Sequence, residues 1–305
     1  MTEQVLDART RDLLRRLEID SRNLVSGMRY GLHRSRRKGV SSDFLYHRGY
    51  NPGDPLKHLD WKVFARTERY YVKQYVEDSS MSLWCLVDGS SSMNNEGDEY
   101  NQGEQTIVLP TKFEIAARLA GAFCCLAINQ QDRTGLTLSG DKPILLRPSS
   151  NPSHLTSILH TLAENRMGGG ADIGEGLRIV TENASGNSLI VLFTDLSFPP
   201  ETVRQRIKTA RAKGHDMILV HIASPTESRF EFNRWVDFRC LEKSGLRHRL
   251  DATHLRRLYL EEYQSLMQEW GDFCKRQRVD FLAIGTDEEL RSRLSSYLRQ
   301  RLLDG

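Results

Sequence analysis

Cysteine is scarce in this chain. The five present (Cys85, Cys124, Cys125, Cys240 and Cys274) are odd in number and form no C-x-x-C pair. That argues against a disulfide framework and against a zinc ribbon, and points to a reducing compartment. A surplus of charge is also missing, since 43 Lys and Arg face 40 Asp and Glu, a net charge of +3. A dedicated nucleic-acid binder carries a larger, clustered excess, so no nucleic-acid partner is expected. Long apolar runs are missing too. The stretches 189–193 and 217–222 are strand-length, far short of the ~20 residues of a membrane span, so no membrane insertion is expected. The opening residues, MTEQVLDARTRDLLRRLEI, carry acids from Glu3 onward and no apolar core, unlike a signal peptide. Together these absences lead to the expectation of a soluble, cytoplasmic protein.

What is present is an ordinary globular mixture, 39% hydrophobic and 27% charged over 305 residues. A chain of this length buries roughly 75% of the surface its unfolded form exposes, enough for a core without disulfides or a structural metal. Apolar residues at Val5, Leu13, Leu14, Leu17, Leu24 and Val25, with arginines between them, predict an amphipathic helix over 5–25. The basic stretch 33–38 reads as a solvated loop or as a docking patch for an acidic partner. Residues 39–78 look irregular and then extended. Dense turn chemistry lies at Asn51-Pro52-Gly53-Asp54-Pro55, and a strand-like alternation runs from Arg69 to Glu77. Residues 1–78 are therefore expected to form an N-terminal extension packed on a main domain, 79–305, with Trp61 buried against that domain; the alternative is that the block around Trp61 is a partner-docking surface.

From residue 81 on, strands and helices alternate. Apolar strands are expected at 83–87, 189–193, 217–222 and 279–284, with further strands at 134–139 and 143–147. Helices are expected from Thr111-Lys112-Phe113-Glu114, over 153–164, from Asp172-Ile173-Gly174-Glu175, after Pro199-Pro200, over 252–277 and at the end of the chain. Residues 94–110 and 230–250 read as irregular. The alternation predicts an α/β fold with a doubly wound, mostly parallel sheet.

In such sheets ligands sit beyond the carboxyl ends of the strands. After the first buried strand comes Asp88-Gly89-Ser90-Ser91-Ser92, and after 189–193 comes Thr194-Asp195. Asp88, Ser90 and Ser92 at alternate positions can converge on one point. With Asp195 they form an oxygen-only set suited to Mg²⁺ or Mn²⁺ rather than zinc. Two carboxylates neutralise such an ion and leave a position open to an external carboxylate. The plainer reading is that the serines cap the next turn. Other motifs are weaker. Gly168-x-Gly170 follows no strand and lacks a Walker lysine, no G-x-S-x-G surrounds Ser90, and the histidine pairs lack metal-ligand spacing.

Asp88-Gly89-Ser90-Ser91-Ser92 with Thr194-Asp195 resembles the metal-ion-dependent adhesion motif of von Willebrand factor type A domains, which are Rossmann-like. The upstream block Arg48-x-Tyr50-x-x-Gly53-Asp54, His58-Leu59-Asp60-Trp61-Lys62 and Ala65-Arg66 resembles the signature of the bacterial domain of unknown function 58 family. The resemblance implies a non-enzymatic interaction module with a metal site at Asp88, Ser90, Ser92 and Asp195. It also implies an adaptor or assembly role with a MoxR-type AAA+ ATPase. The third loop departs from the family pattern, because Ala171 stands where a threonine is usual and brings no side-chain oxygen. Asp172 is the candidate replacement, although it also fits as a helix cap. Two other readings follow from the same residues, a scaffold that has lost its metal and a Mg²⁺-dependent hydrolase.

Overall fold

The computed structural model describes residues 8–25, 43–50, 59–76, 81–94, 99–102, 105–165, 171–186, 188–197, 200–230, 232, 235–239 and 247–303. The basic stretch 33–38, the turn 51–55 and the glycines 168–170 lie outside them. In chain order the elements are α1 (Ala8–Val25), β1 (Asp43–Gly49), α2 (Trp61–Thr67), β2 (Tyr71–Val76), β3 (Ser82–Asp88), a 3₁₀ turn (Ser91–Asn94), β4 (Glu99–Gln102), β5 (Gln105–Val108), α3 (Lys112–Asn129), β6 (Arg133–Ser139), β7 (Ile144–Ser149), α4 (Pro152–Glu164), α5 (Ile173–Asn183), β8 (Ser188–Thr194), α6 (Pro200–Ala212), β9 (Asp216–Ala223), α7 (Pro225–Arg229), β10 (Trp235–Arg239), β11 (Arg247–Asp251), α8 (Ala252–Gln277), β12 (Asp280–Gly285) and α9 (Leu290–Leu303).

Six strands form the central sheet in the order β12-β9-β8-β3-β6-β7. Every neighbour is parallel except β7, which runs antiparallel to β6 at one edge. β3 lies in the middle, buried along its whole length, so its side chains alternate between two apolar layers. Leu83, Cys85 and Val87 join a cluster with α1, α3, α4 and α9, while Trp84 and Leu86 join one with α5, α6 and α8. Burial on both faces explains why β3 and β8 are written as unbroken apolar runs. Cys85, Cys124, Cys125 and Cys274 are buried free thiols within these layers.

The chain divides into two compact units, one comprising residues 1–32 and 81–300, the other 33–80 with 301–305. The helix α1 belongs to the first of these units. Leu13, Leu17, Leu24 and Val25 recur on one helical face and enter the core of the α/β unit, where α1 packs on α3 and α4. The approach is close at Gly121 of α3, where a Cβ would come within 2.9 Å of Leu159 and 3.5 Å of the Ser21 Cβ.

The second unit holds the antiparallel pair β1–β2 and the helix α2. Asp60 caps α2 by accepting hydrogen bonds from the Lys62 and Val63 amides. Irregular chain was expected ahead of the strand from Arg69, but the seven residues after this cap are helical. Trp61 is a second correction. It was expected to be buried, but as the first residue of α2 it is 60% exposed, with its ring edge-on to Phe64. Two further elements were read as irregular, the hairpins β4–β5 and β10–β11.

Candidate functional site

The sheet brings Asp88 and Asp195 together because β3 and β8 are parallel neighbours that end at the same level. Asp88 closes β3, and Asp195 follows the last residue of β8, Thr194. All three are buried. The backbone turns sharply after Asp88. Its Oδ1 accepts the Ser90 amide at 2.9 Å, which bends the loop so that Ser90 Oγ and Ser92 Oγ lie 3.0 Å apart. Its Oδ2 accepts the Thr194 hydroxyl at 2.7 Å, and that hydroxyl in turn accepts the Leu196 amide. Asp195 Oδ1 accepts the Ser197 amide at 3.0 Å. The four predicted residues therefore share one patch at the carboxyl end of the sheet.

Sequence reasoning missed the cation in this patch. Lys112, the first residue of α3, is buried and donates from Nζ to Asp195 Oδ2 at 2.7 Å. The same ammonium donates to Glu227 Oε1 of α7. Glu227 is held in turn by a capping box, in which its Oε2 accepts the Ser224 amide and its own amide donates to Ser224 Oγ. Both residues had a signal in the sequence. A lysine directly after an N-cap, here Thr111, opposes the helix dipole and calls for a local reason. Ser224-Pro225-Thr226-Glu227 is a capping-box pattern following a buried strand.

The two aspartates have opposite electrostatics. Burial and then the Asp195 charge push the Asp88 carboxyl up to about 6, against the pull of the Ser90 and Thr194 hydrogen bonds. Burial also pushes Asp195 upward, but the Lys112 ammonium and the Ser92 and Ser197 hydrogen bonds outweigh it and hold that carboxyl below its ordinary value. Burial disfavours the Lys112 charge as well, yet Asp195 and Glu227 together keep it raised. Lys112 joins two carboxylates, Asp195 and Glu227, and Asp88 adds a third beside Asp195, so among the described residues of this largely buried patch acidic groups outnumber the ammonium three to one.

That imbalance, with hydroxyls beside it, fits a hard divalent cation. A further oxygen is available nearby. Ser139 stands opposite Asp88 in the parallel register of β3 and β6, and its buried hydroxyl has no hydrogen-bond partner. Among the described residues no three His, Cys, Asp or Glu side chains are grouped to hold a metal, so a site here depends on the serines. Ala171 contributes no oxygen. Asp172 is exposed and caps α5, accepting the Glu175 amide at 3.0 Å. Beyond the patch, His221 of β9 is buried and its Nε2 lies 3.1 Å from the Tyr263 hydroxyl. Burial above all pushes its imidazole down to about 4, so it is neutral at physiological pH.

Comparison with known proteins adds a family and a set of similar folds. The family model described as "Protein of unknown function DUF58" matches residues 46–266. Uncharacterized proteins of Mycobacterium bovis and Mycobacterium tuberculosis are 23% identical to the chain over 218 residues, 70% of its length. The chain spans 65% of the length of these curated relatives. Among solved structures, an aerotolerance-related membrane protein from Bacteroides fragilis aligns with 15% identity and a TM-score of 0.47, covering 74% of this chain and 100% of that one. BatB from Bacteroides thetaiotaomicron aligns with 14% identity and a TM-score of 0.46, again over 74% and 100%. The type A domain of SpRpn10 aligns with 14% identity and a TM-score of 0.39, over 71% and 94%. The α/β unit has the mostly parallel, helix-flanked sheet expected from the sequence.

The cytoplasmic expectation is corrected by the same comparison, because the Bacteroides fragilis structure is described as that of a membrane protein. A soluble-looking α/β domain can be the water-exposed part of such a protein, so the composition that suggested the cytoplasm does not decide the compartment. Among the described residues no helix is long and apolar enough to cross a membrane.

Proposed function

The chain belongs to the family of proteins of unknown function DUF58, and from that premise we propose that it is a non-enzymatic protein-interaction module whose contact with a partner runs through a divalent cation. The resemblance of the Asp88 and Asp195 loops to the type A adhesion motif suggests an interaction module, as domains of this kind are generally non-catalytic. The finer reading rests on one observation. Among the described residues, the buried Asp88 has only neutral hydrogen-bond donors and faces a second carboxylate. A carboxylate so placed calls for a cation.

In this reading Asp88, Ser90, Ser92 and Asp195 hold Mg²⁺ or Mn²⁺. A bound ion would supply positive charge and an exchangeable coordination position for a partner's Asp or Glu. The protein's own groups do the rest. Thr194 and the Ser90 amide orient Asp88, the Ser197 amide orients Asp195, and the hydrogen bond between Ser90 Oγ and Ser92 Oγ holds the hydroxyls side by side. The network surrounding the two aspartates is suited to holding charge in place. The partner proposed is a MoxR-type AAA+ ATPase, with this protein as its adaptor or assembly factor. A metal-free scaffold is the second reading, favoured by the Lys112 ammonium already on Asp195 and by Ala171.

Capture of the purified MoxR-type ATPase from the same organism tests the proposal. Binding is expected in Mg²⁺, and is expected to fail in excess EDTA and in Asp88→Asn. Equal capture in EDTA would reject the metal-bridged contact while leaving the adaptor role intact.

A further inference from the structure

Lys112 breaks two local rules. Its charge is buried, and it opens a helix whose N-terminus already carries partial positive charge. A residue set against its local environment in this way marks a functional constraint more often than a packing need. Its contacts supply one. The ammonium lies between Asp195 Oδ2 and Glu227 Oε1, with the Asp195 side chain almost wholly buried and that of Glu227 37% exposed. A carboxylate oxygen engaged by an ammonium at 2.7 Å is not available to a second cation.

We propose that Lys112 is an internal cation that competes with the divalent ion for Asp195, and that Glu227 is the alternative seat to which its ammonium is drawn when Asp195 turns to the ion. The inference rests on the metal-site reading above. The same side chains have two arrangements. In one, the ammonium bridges Asp195 and Glu227. In the other, Asp195 Oδ2 is released to the ion and the ammonium stays with Glu227. Glu227 is suited to that part because its capping box anchors it independently of Lys112. The exchange would carry the state of the Asp88 loop to α7, which follows β9, the next strand beyond β8.

The test is a double-mutant cycle read by Mn²⁺ binding, measured by calorimetry and by the loss of the free-ion electron paramagnetic resonance signal. The variants are Lys112→Met, which keeps length and apolar bulk, Glu227→Gln, and both together. Lys112→Met is expected to tighten Mn²⁺ binding at least about tenfold, the scale of one close charge contact in a partly buried site. Glu227→Gln is expected to weaken it, because Asp195 becomes the ammonium's remaining seat. The double variant has the wild-type net charge, which separates the two explanations. Competition predicts that it still binds more tightly than wild type, because Asp195 is free. A return to wild-type affinity would mean that only net charge matters, and would overturn the proposal.

Wild-type affinity unchanged or weakened in Lys112→Met, with the fold intact by circular dichroism, would overturn the proposal and leave the metal site standing. No binding by any variant would overturn both. Binding by Lys112→Met but not by wild type would support the competition in its strongest form. If Lys112→Met does not fold, Glu227→Gln alone still decides, since an unchanged or tightened affinity there contradicts the exchange.

Discussion

Asp88→Asn is expected to make the cation-free protein more stable above about pH 6. The Asp88 carboxyl is pushed from its ordinary value of 3.8 to about 6, so between those values the folded protein binds the proton more tightly than the unfolded chain does. Wild-type stability should therefore fall as pH rises through that window and level off above it, a loss of about 3 kcal/mol at ~1.4 kcal/mol per unit. Asparagine carries no such charge. It keeps an acceptor for the Ser90 amide, and its Nδ2 can donate to the Thr194 hydroxyl, which has a second lone pair beside the one taken by Leu196. Urea unfolding at about pH 4 and pH 8 checks this. Asp88→Asn should match wild type at the lower pH and exceed it at the higher. With saturating Mg²⁺ the order should shrink or reverse, because ligand binding stabilises only the form that binds. A variant less stable than wild type at pH 8 without metal would mean that the Asp88 charge is already balanced.

The second large effect separates the two N-terminal parts. Leu17 is fully buried in the α/β core, and Leu17→Ala should cost about 2–5 kcal/mol. Trp61→Ala should cost about 0.5 kcal/mol or less, because its ring is mostly in solvent and such positions rarely matter to stability. Thermal and urea denaturation of both variants measures the contrast. A loss at Trp61 as large as at Leu17 would show that its ring is covered in solution.

The sheet was legible because β3, β8 and β9 are buried on both faces and so written as apolar runs, and because the helices between the strands carry caps and an apolar stripe. The long helix over 252–277 was legible to the residue. The hairpins β4–β5 and β10–β11 were not: the Gly103-Glu104 pair between β4 and β5 is a weak signal because the flanking residues are largely polar, and β10 and β11 are separated by seven residues. Trp61 misled because a tryptophan beside turn residues resembles an anchor, and only the cap at Asp60 shows that it starts a helix. At the site, Asp88, Ser90, Ser92 and Asp195 were legible because both loops follow buried strands, and parallel order brings their ends together. Lys112 and Glu227 were not connected to them. They lie 83 and 32 residues from Asp195 in the chain, and the short helix α7 that presents Glu227 has no periodicity to betray it.

The central claim is that Asp88, Ser90, Ser92 and Asp195 hold a divalent cation. Calorimetric titration of the intact chain with Mg²⁺ and Mn²⁺ at about pH 8, where Asp88 is charged, tests it most directly when run beside Asp88→Asn. The predicted result is a single saturable binding event in wild type that is absent from the folded variant. No binding by either wild type or Lys112→Met at millimolar ion, or equal binding by Asp88→Asn, would contradict it.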